Sequence, residues 1–120
     1  MKKLLLIAIA LVLASPVYAQ TTVQGVPIQR STVNASATIT TGNTFQTVLA
    51  ATITRKALTI ENNNATDSCW LFIGSGSAAK GTSILLLAGG SYVRYWPYVP
   101  NDALQATCAS NNDTLYIDYQ

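Results

Sequence analysis

From Ala35 onward, short runs rich in β-branched, aromatic and aliphatic residues alternate with clusters of Gly, Asn, Asp and Ser. No helical spacing of apolar residues persists over a useful length, so the pattern predicts strands throughout. The runs are "ASATIT", "FQTVLAATIT", "ALTIEN", "CWLFIG", "SILLL", "SYVRYWPY", "ALQATC" and "TLYIDY". Between them lie "TGN", "NNNATDS", "GSGSAAKG", "AGG", "VPND" and "ASNND", whose residues accept positive φ or bond their own backbone. "VPND" suits a type I turn with Pro100 at its second position. About eight short strands predict an all-β fold: a single antiparallel β-sandwich, jelly-roll-like, over residues 35–120. A polar, extended segment, residues 20–34, precedes it.

Alternation assigns faces. Leu104, Ala106 and Cys108 fall together on a core side, as do Leu115, Ile117 and Tyr119, which leaves Tyr116 and Asp118 outward. If Cys69 faces the core to meet Cys108, Leu71 and Ile73 accompany it, and Trp70 and Phe72 occupy the outer face. In "GGSYVRYWPYVP" the odd-numbered Val93, Tyr95, Pro97 and Val99 suit a core side. Tyr92, Arg94, Trp96 and Tyr98 then share the other face, with Arg94 within reach of a neighbouring ring. Pro97 lacks a ladder donor, which puts this part of the strand at an edge, a bulge or its end. Tyr, Trp and Arg dominate binding hot spots, so these four are the candidate binding residues. A loop or the N-terminal segment lying over the same face is the structural alternative.

The N-terminus changes the setting. Lys2 and Lys3 precede an apolar stretch, Leu4 to Ala14, and "VYA" offers a small-residue cleavage pattern after Ala19. Residues 1–19 are expected to be a secretory signal peptide. Ser15 and Pro16 end the apolar run short of the ~20 residues that span a bilayer, so no membrane association is expected after cleavage. The mature protein is then secreted, periplasmic or extracellular. Its two cysteines, Cys69 and Cys108, reach an oxidising compartment, and a disulfide between them is expected.

Charge and missing side chains exclude several functions. Beyond Ala19 the cations Arg30, Arg55, Lys56, Lys80 and Arg94 balance the anions Glu61, Asp67, Asp102, Asp113 and Asp118. With no basic run, nucleic-acid binding is not expected. Histidine is absent, which removes the usual general base and imidazole ligand. No pair of acids stands in a glycosidase-like motif, so no enzyme is expected, and no cofactor or metal. "GSGSAAKGTS" places Lys80 before Gly81 and ahead of an apolar strand, the wrong order for a phosphate loop. "NNNATDS" and "SNNDT" match no calcium-loop spacing, and turn chemistry accounts for them.

Two stretches carry three motifs of a resemblance. "RKALTIENNNATDSCWLFIG" contains R-x-x-L-x-I-x-N; "KGTSILLLAGGSYVRYWPYVPNDALQATC" contains G-x-SI-x-L-x-x-GGSY and P-x-D-x-L-x-A. Over residues 55–119 the sequence resembles small, mostly uncharacterised β-sandwich proteins of bacteria and phages, linked to virions or prophage regions. The resemblance implies a structural role and carries over no functional residues. The expected function is a secreted, non-enzymatic structural or interaction protein, a surface or virion-type assembly component. Its partner is another copy or a cell-surface polysaccharide. The alternative is a carbohydrate-binding or adhesion module that stacks sugars on Trp96, Tyr98 and Tyr92.

Overall fold

The computed structural model describes residues 31–120. The expected signal peptide, its cleavage point after Ala19 and residues 20–30 of the N-terminal segment lie outside the described residues. Nine strands follow: β1 (Val33–Asn34), β2 (Ala37–Ile39), β3 (Gln46–Leu49), β4 (Ala57–Asn62), β5 (Cys69–Ile73), β6 (Ile84–Leu86), β7 (Ser91–Tyr95), β8 (Leu104–Cys108) and β9 (Asp113–Tyr119). All pairings are antiparallel. One sheet runs β9-β4-β7 with β1 and β2 one after the other along the free edge of β9; the other runs β3-β8-β5-β6.

The pairing is nested. Strand β2 pairs with β9, β3 with β8, β4 with β7 and β5 with β6, and successive pairs fall in alternate sheets. This is one long hairpin rolled up on itself, the jelly-roll arrangement. Rolling sorts the connections by end. The β2–β3, β4–β5, β6–β7 and β8–β9 connections share one end, and β3–β4, β5–β6 and β7–β8 share the other.

Alternation places the core as expected on three strands. Cys69 and Leu71 on β5, Leu104, Ala106 and Cys108 on β8, and Leu115 and Ile117 on β9 are buried, joined by Ile39, Leu58, Ile60, Leu86 and Val99. Truncating one of these large aliphatic side chains to Ala costs about 2–5 kcal/mol. Cys69 and Cys108 stand directly opposite one another and form a disulfide. One position out, Ala109 N–H donates to Ser68 O at 3.0 Å. The cysteines therefore occupy a non-hydrogen-bonded pair, where side chains approach most closely.

Several boundaries depart from the sequence pattern. The last residues of the extended N-terminal segment, Val33 and Asn34, pair as a strand with Tyr119 and Asp118. The run "FQTVLAATIT" is a strand only over Gln46–Leu49, with a register irregularity between Thr47 and Leu49. It stops where its partner β8 begins, Leu49 lying opposite Leu104, and just beyond it Arg55 folds back, its Nη2 donating to Ala50 O at 2.9 Å. At the end of "GSGSAAKG", Lys80–Thr82 form a 3₁₀ turn that leads into β6. The tight turn after β7 lies at Tyr95–Tyr98 rather than at "VPND": Tyr98 N–H donates to Tyr95 O at 3.0 Å, and the Trp96–Pro97 peptide is cis.

The resemblance motifs turn out to be joinery. Arg55, Leu58, Ile60 and Asn62 of R-x-x-L-x-I-x-N are all buried. Arg55 donates to the carbonyls of Pro100 and Asp102, which belong to P-x-D-x-L-x-A. Asn62 Nδ2 donates to Asp67 O (2.7 Å) and to Leu86 and Leu87 O (both 3.0 Å), the latter two within G-x-SI-x-L-x-x-GGSY. In that same motif Gly89 adopts φ +69°, and a Cβ on Gly90 would stand 2.9 Å from Leu87 O. At Gly90 any side chain would collide with that carbonyl, and at Gly89 the positive φ favours glycine.

Candidate interaction surface

Strand β7 is the free edge of its sheet, and its register corrects the predicted faces. Tyr92 lies opposite Ile60 and Arg94 opposite Leu58, whereas Val93 and Tyr95 oppose Thr59 and Ala57. Directly opposed residues share a face. Leu58 and Ile60 are core, so Tyr92 and Arg94 belong to the inner side and Val93 and Tyr95 to the outer side, the reverse of the assignment from alternation. Tyr92 packs against the core. Aromatics of both parities left the pattern without a parity signal; the partner strand supplied it.

Arg94 reaches solvent because β7 borders the open side of the sandwich. Its guanidinium lies 4.5 Å from the Tyr92 ring centroid, as expected for an Arg beside that ring. Its Nη1 donates to Val93 O at 3.0 Å. Trp96 N–H donates to Lys56 O at 2.9 Å and Asn62 N–H to Gly90 O at 2.9 Å. In an antiparallel ladder the residues between those positions alternate, so the Val93 carbonyl points off the sheet. Arg94 thus caps a carbonyl that a neighbouring strand would otherwise use.

Trp96 and Tyr98 do not share that face. They sit on the turn beyond the strand and, with Tyr95, stand 68%, 80% and 67% exposed. Pro97 is at the strand's end, one of the three places its missing donor allows. The turn is held from behind. Val99 is buried, Thr52 N–H donates to Asn101 O at 2.9 Å, and Arg55 clasps the carbonyls of Ala50, Pro100 and Asp102. Burial lowers the Arg55 pKa from its ordinary value, while Tyr119 and Asp102 push it back up. The guanidinium keeps its charge, since Arg does not deprotonate in proteins. Ile53, 85% exposed, lies on the β3–β4 connection at the same end. The four predicted residues therefore divide: Tyr92 and Arg94 finish an edge, and Trp96 and Tyr98 are presented outward. Tyr95 and Ile53 give no such signal in the sequence: Tyr95 shares the parity of Val93 on the expected core side, and Ile53 lies within the apolar run "FQTVLAATIT".

On the outer face of the other sheet, Trp70 and Phe72 are half-buried, as their alternation with Cys69 and Leu71 predicts. The Asn cluster "NNNATDS" is a network. Asn62 Oδ1 accepts from Asn64 N–H (3.2 Å) and Nδ2 (2.6 Å), and Asn64 Oδ1 accepts from Thr114 N–H (3.1 Å). Among the described residues, Cys69, Cys108 and Asp113 bring three potential metal-ligating atoms within 4.8 Å of one another. The two sulfurs are bonded to each other and offer no thiolate. No helix among the described residues is long and apolar enough to cross a membrane.

Fold and surface together define a disulfide-bonded antiparallel β-sandwich with nested strand pairing. In comparisons with known proteins, the chain matches no family, no curated sequence and no solved structure.

Proposed function

We propose that the protein is a secreted, non-enzymatic structural or interaction protein, a surface or virion-type assembly component. Its contact is the aromatic turn of Tyr95, Trp96 and Tyr98 with Ile53 beside it. One observation carries this. Three rings, each about two-thirds or more exposed, fall within four residues at the end of β7 and on the tight turn after it, just before the Pro100 carbonyl that a buried arginine holds. Solvating large rings opposes folding, and rigid aromatic side chains lose little entropy when a partner covers them. The balanced charge of residues 20–120 does little to oppose self-association.

Light scattering tests the proposal. The protein should assemble with itself, and Trp96→Ala should weaken that assembly about 30-fold, equivalent to ~2 kcal/mol for a central Trp. Thermal melts of the two proteins should nearly coincide. A monomer at all concentrations, retained on a polysaccharide through Trp96, would replace assembly by the carbohydrate-binding alternative.

A further inference from the structure

The four-stranded sheet has its own outward-facing site, remote from the aromatic turn. Across it, Trp70 lies opposite Thr107 on one side and Leu85 on the other, and Gln105 lies between Phe72 and Thr47. Residues 74–83, joining β5 to β6, leave at the aromatic end and fold back over this face. Lys80 Nζ stands 3.9 Å from the Trp70 ring centroid and donates to Asn43 Oδ1 at 2.6 Å, on the β2–β3 connection at the opposite end.

Thr107 is fully buried although it points away from the core, and its Oγ1 has no hydrogen-bond partner. A buried hydroxyl without a partner is uncommon enough to demand a reason. Lys80 is equally underused: its ammonium rests on a ring face and a neutral amide rather than a carboxylate. The groups gathered here are a flat indole, two neutral amides (Asn43 and Gln105), an unpartnered hydroxyl and one cation.

We infer that this face binds an acidic saccharide. A sugar ring stacks on Trp70 where the ammonium now rests, its carboxylate pairs with Lys80, and its hydroxyls meet Thr107, Gln105 and Asn43. Each feature of the site selects that chemistry. An indole face suits the apolar face of a sugar ring, and amides and hydroxyls satisfy its hydroxyl groups. One lysine matches one carboxylate, whereas a phosphate polymer calls for a row of cations. Stacking on Trp70 displaces the surface contacts of Lys80, and because Thr107 is fully buried, a sugar hydroxyl reaches it only once the side chains covering it give way. The inference does not rest on the aromatic turn.

The test uses the mature protein carrying Trp96→Phe, which leaves Trp70 as its one tryptophan. Its emission is titrated with a galacturonic acid tetramer and with a neutral galactose tetramer. The acidic tetramer should give a saturable change, with the neutral one at least about tenfold weaker. Lys80→Met should lose about tenfold in affinity for the acidic tetramer, the scale of one charge-assisted contact. Thr107→Val should weaken binding severalfold while the melting temperature holds or rises, because it removes an unpartnered hydroxyl. The inference fails if the acidic tetramer gives no saturable change, if the two tetramers respond equally, or if Lys80→Met binds unchanged. A tetraglutamate peptide that competes as well as the acidic sugar would also overturn it, by making the site one for carboxylates alone.

Discussion

The two ends of the sandwich use their side chains in opposite directions. At the end where β8 turns into β9, polar groups face inward onto backbone. Gly42 N–H donates to Asn111 Oδ1 at 2.7 Å, Asn43 Nδ2 to Ala109 O at 3.1 Å, and Asn62 ties the β4–β5 and β6–β7 connections. Asn43 and Asn112 take φ of 60° and 64°, a region asparagine tolerates better than most residues. The disulfide lies just beneath. At the other end the buried Arg55 holds three carbonyls and the Thr82 and Ser83 hydroxyls donate to Ala79 O, while Ile53, Tyr95, Trp96 and Tyr98 point out. Side chains bound to their own backbone stabilise the fold, whereas rings facing water add nothing comparable to it. The first end holds the fold together, and the second presents the rings of the proposed contact.

The largest test of that contrast is the disulfide. Cys108→Ala should lower unfolding free energy by about 2–5 kcal/mol, measured by chemical denaturation. A cost well under 1 kcal/mol would show that the Asn-rich end does not depend on the bridge. Arg55→Met comes next. It orphans the carbonyls that the guanidinium clasps at the aromatic end, and should cost about 3 kcal/mol. It should also loosen the turn, seen as faster amide exchange at Trp96 and Tyr98; exchange unchanged there would separate the anchor from the surface.

Trp96→Ala should change stability by less than about 0.5 kcal/mol, as for a surface side chain, while abolishing most assembly. If the mutant unfolds easily, the aromatic end is a core and the contrast between the ends collapses. Arg94→Ala should have the smallest effect on stability. By uncapping the Val93 carbonyl on the β7 edge it should raise nonspecific association on heating, scored by turbidity. Clear solutions from the mutant at every temperature would mean that the edge needs no cap.

By itself the sequence determined the fold class, the bridge and the core of three strands. Periodicity of two is local, and Cys69 and Cys108 announce their own partnership on a chain with no other cysteine. Alternation along "CWLFI", "ALQATC" and "TLYIDY" was decisive because one parity there is clearly the core set. Along "SYVRYWPY" both parities carry rings, so only pairing with Leu58 and Ile60 could say which face is inner. Tertiary structure likewise decided that Arg55 reaches back to Ala50 and that Lys80 lies on Trp70. It also put Ile53 and Trp96 at one end of the sandwich. These facts depend on residues far apart in the chain, and local preference carries no information about which distant segment a side chain will meet.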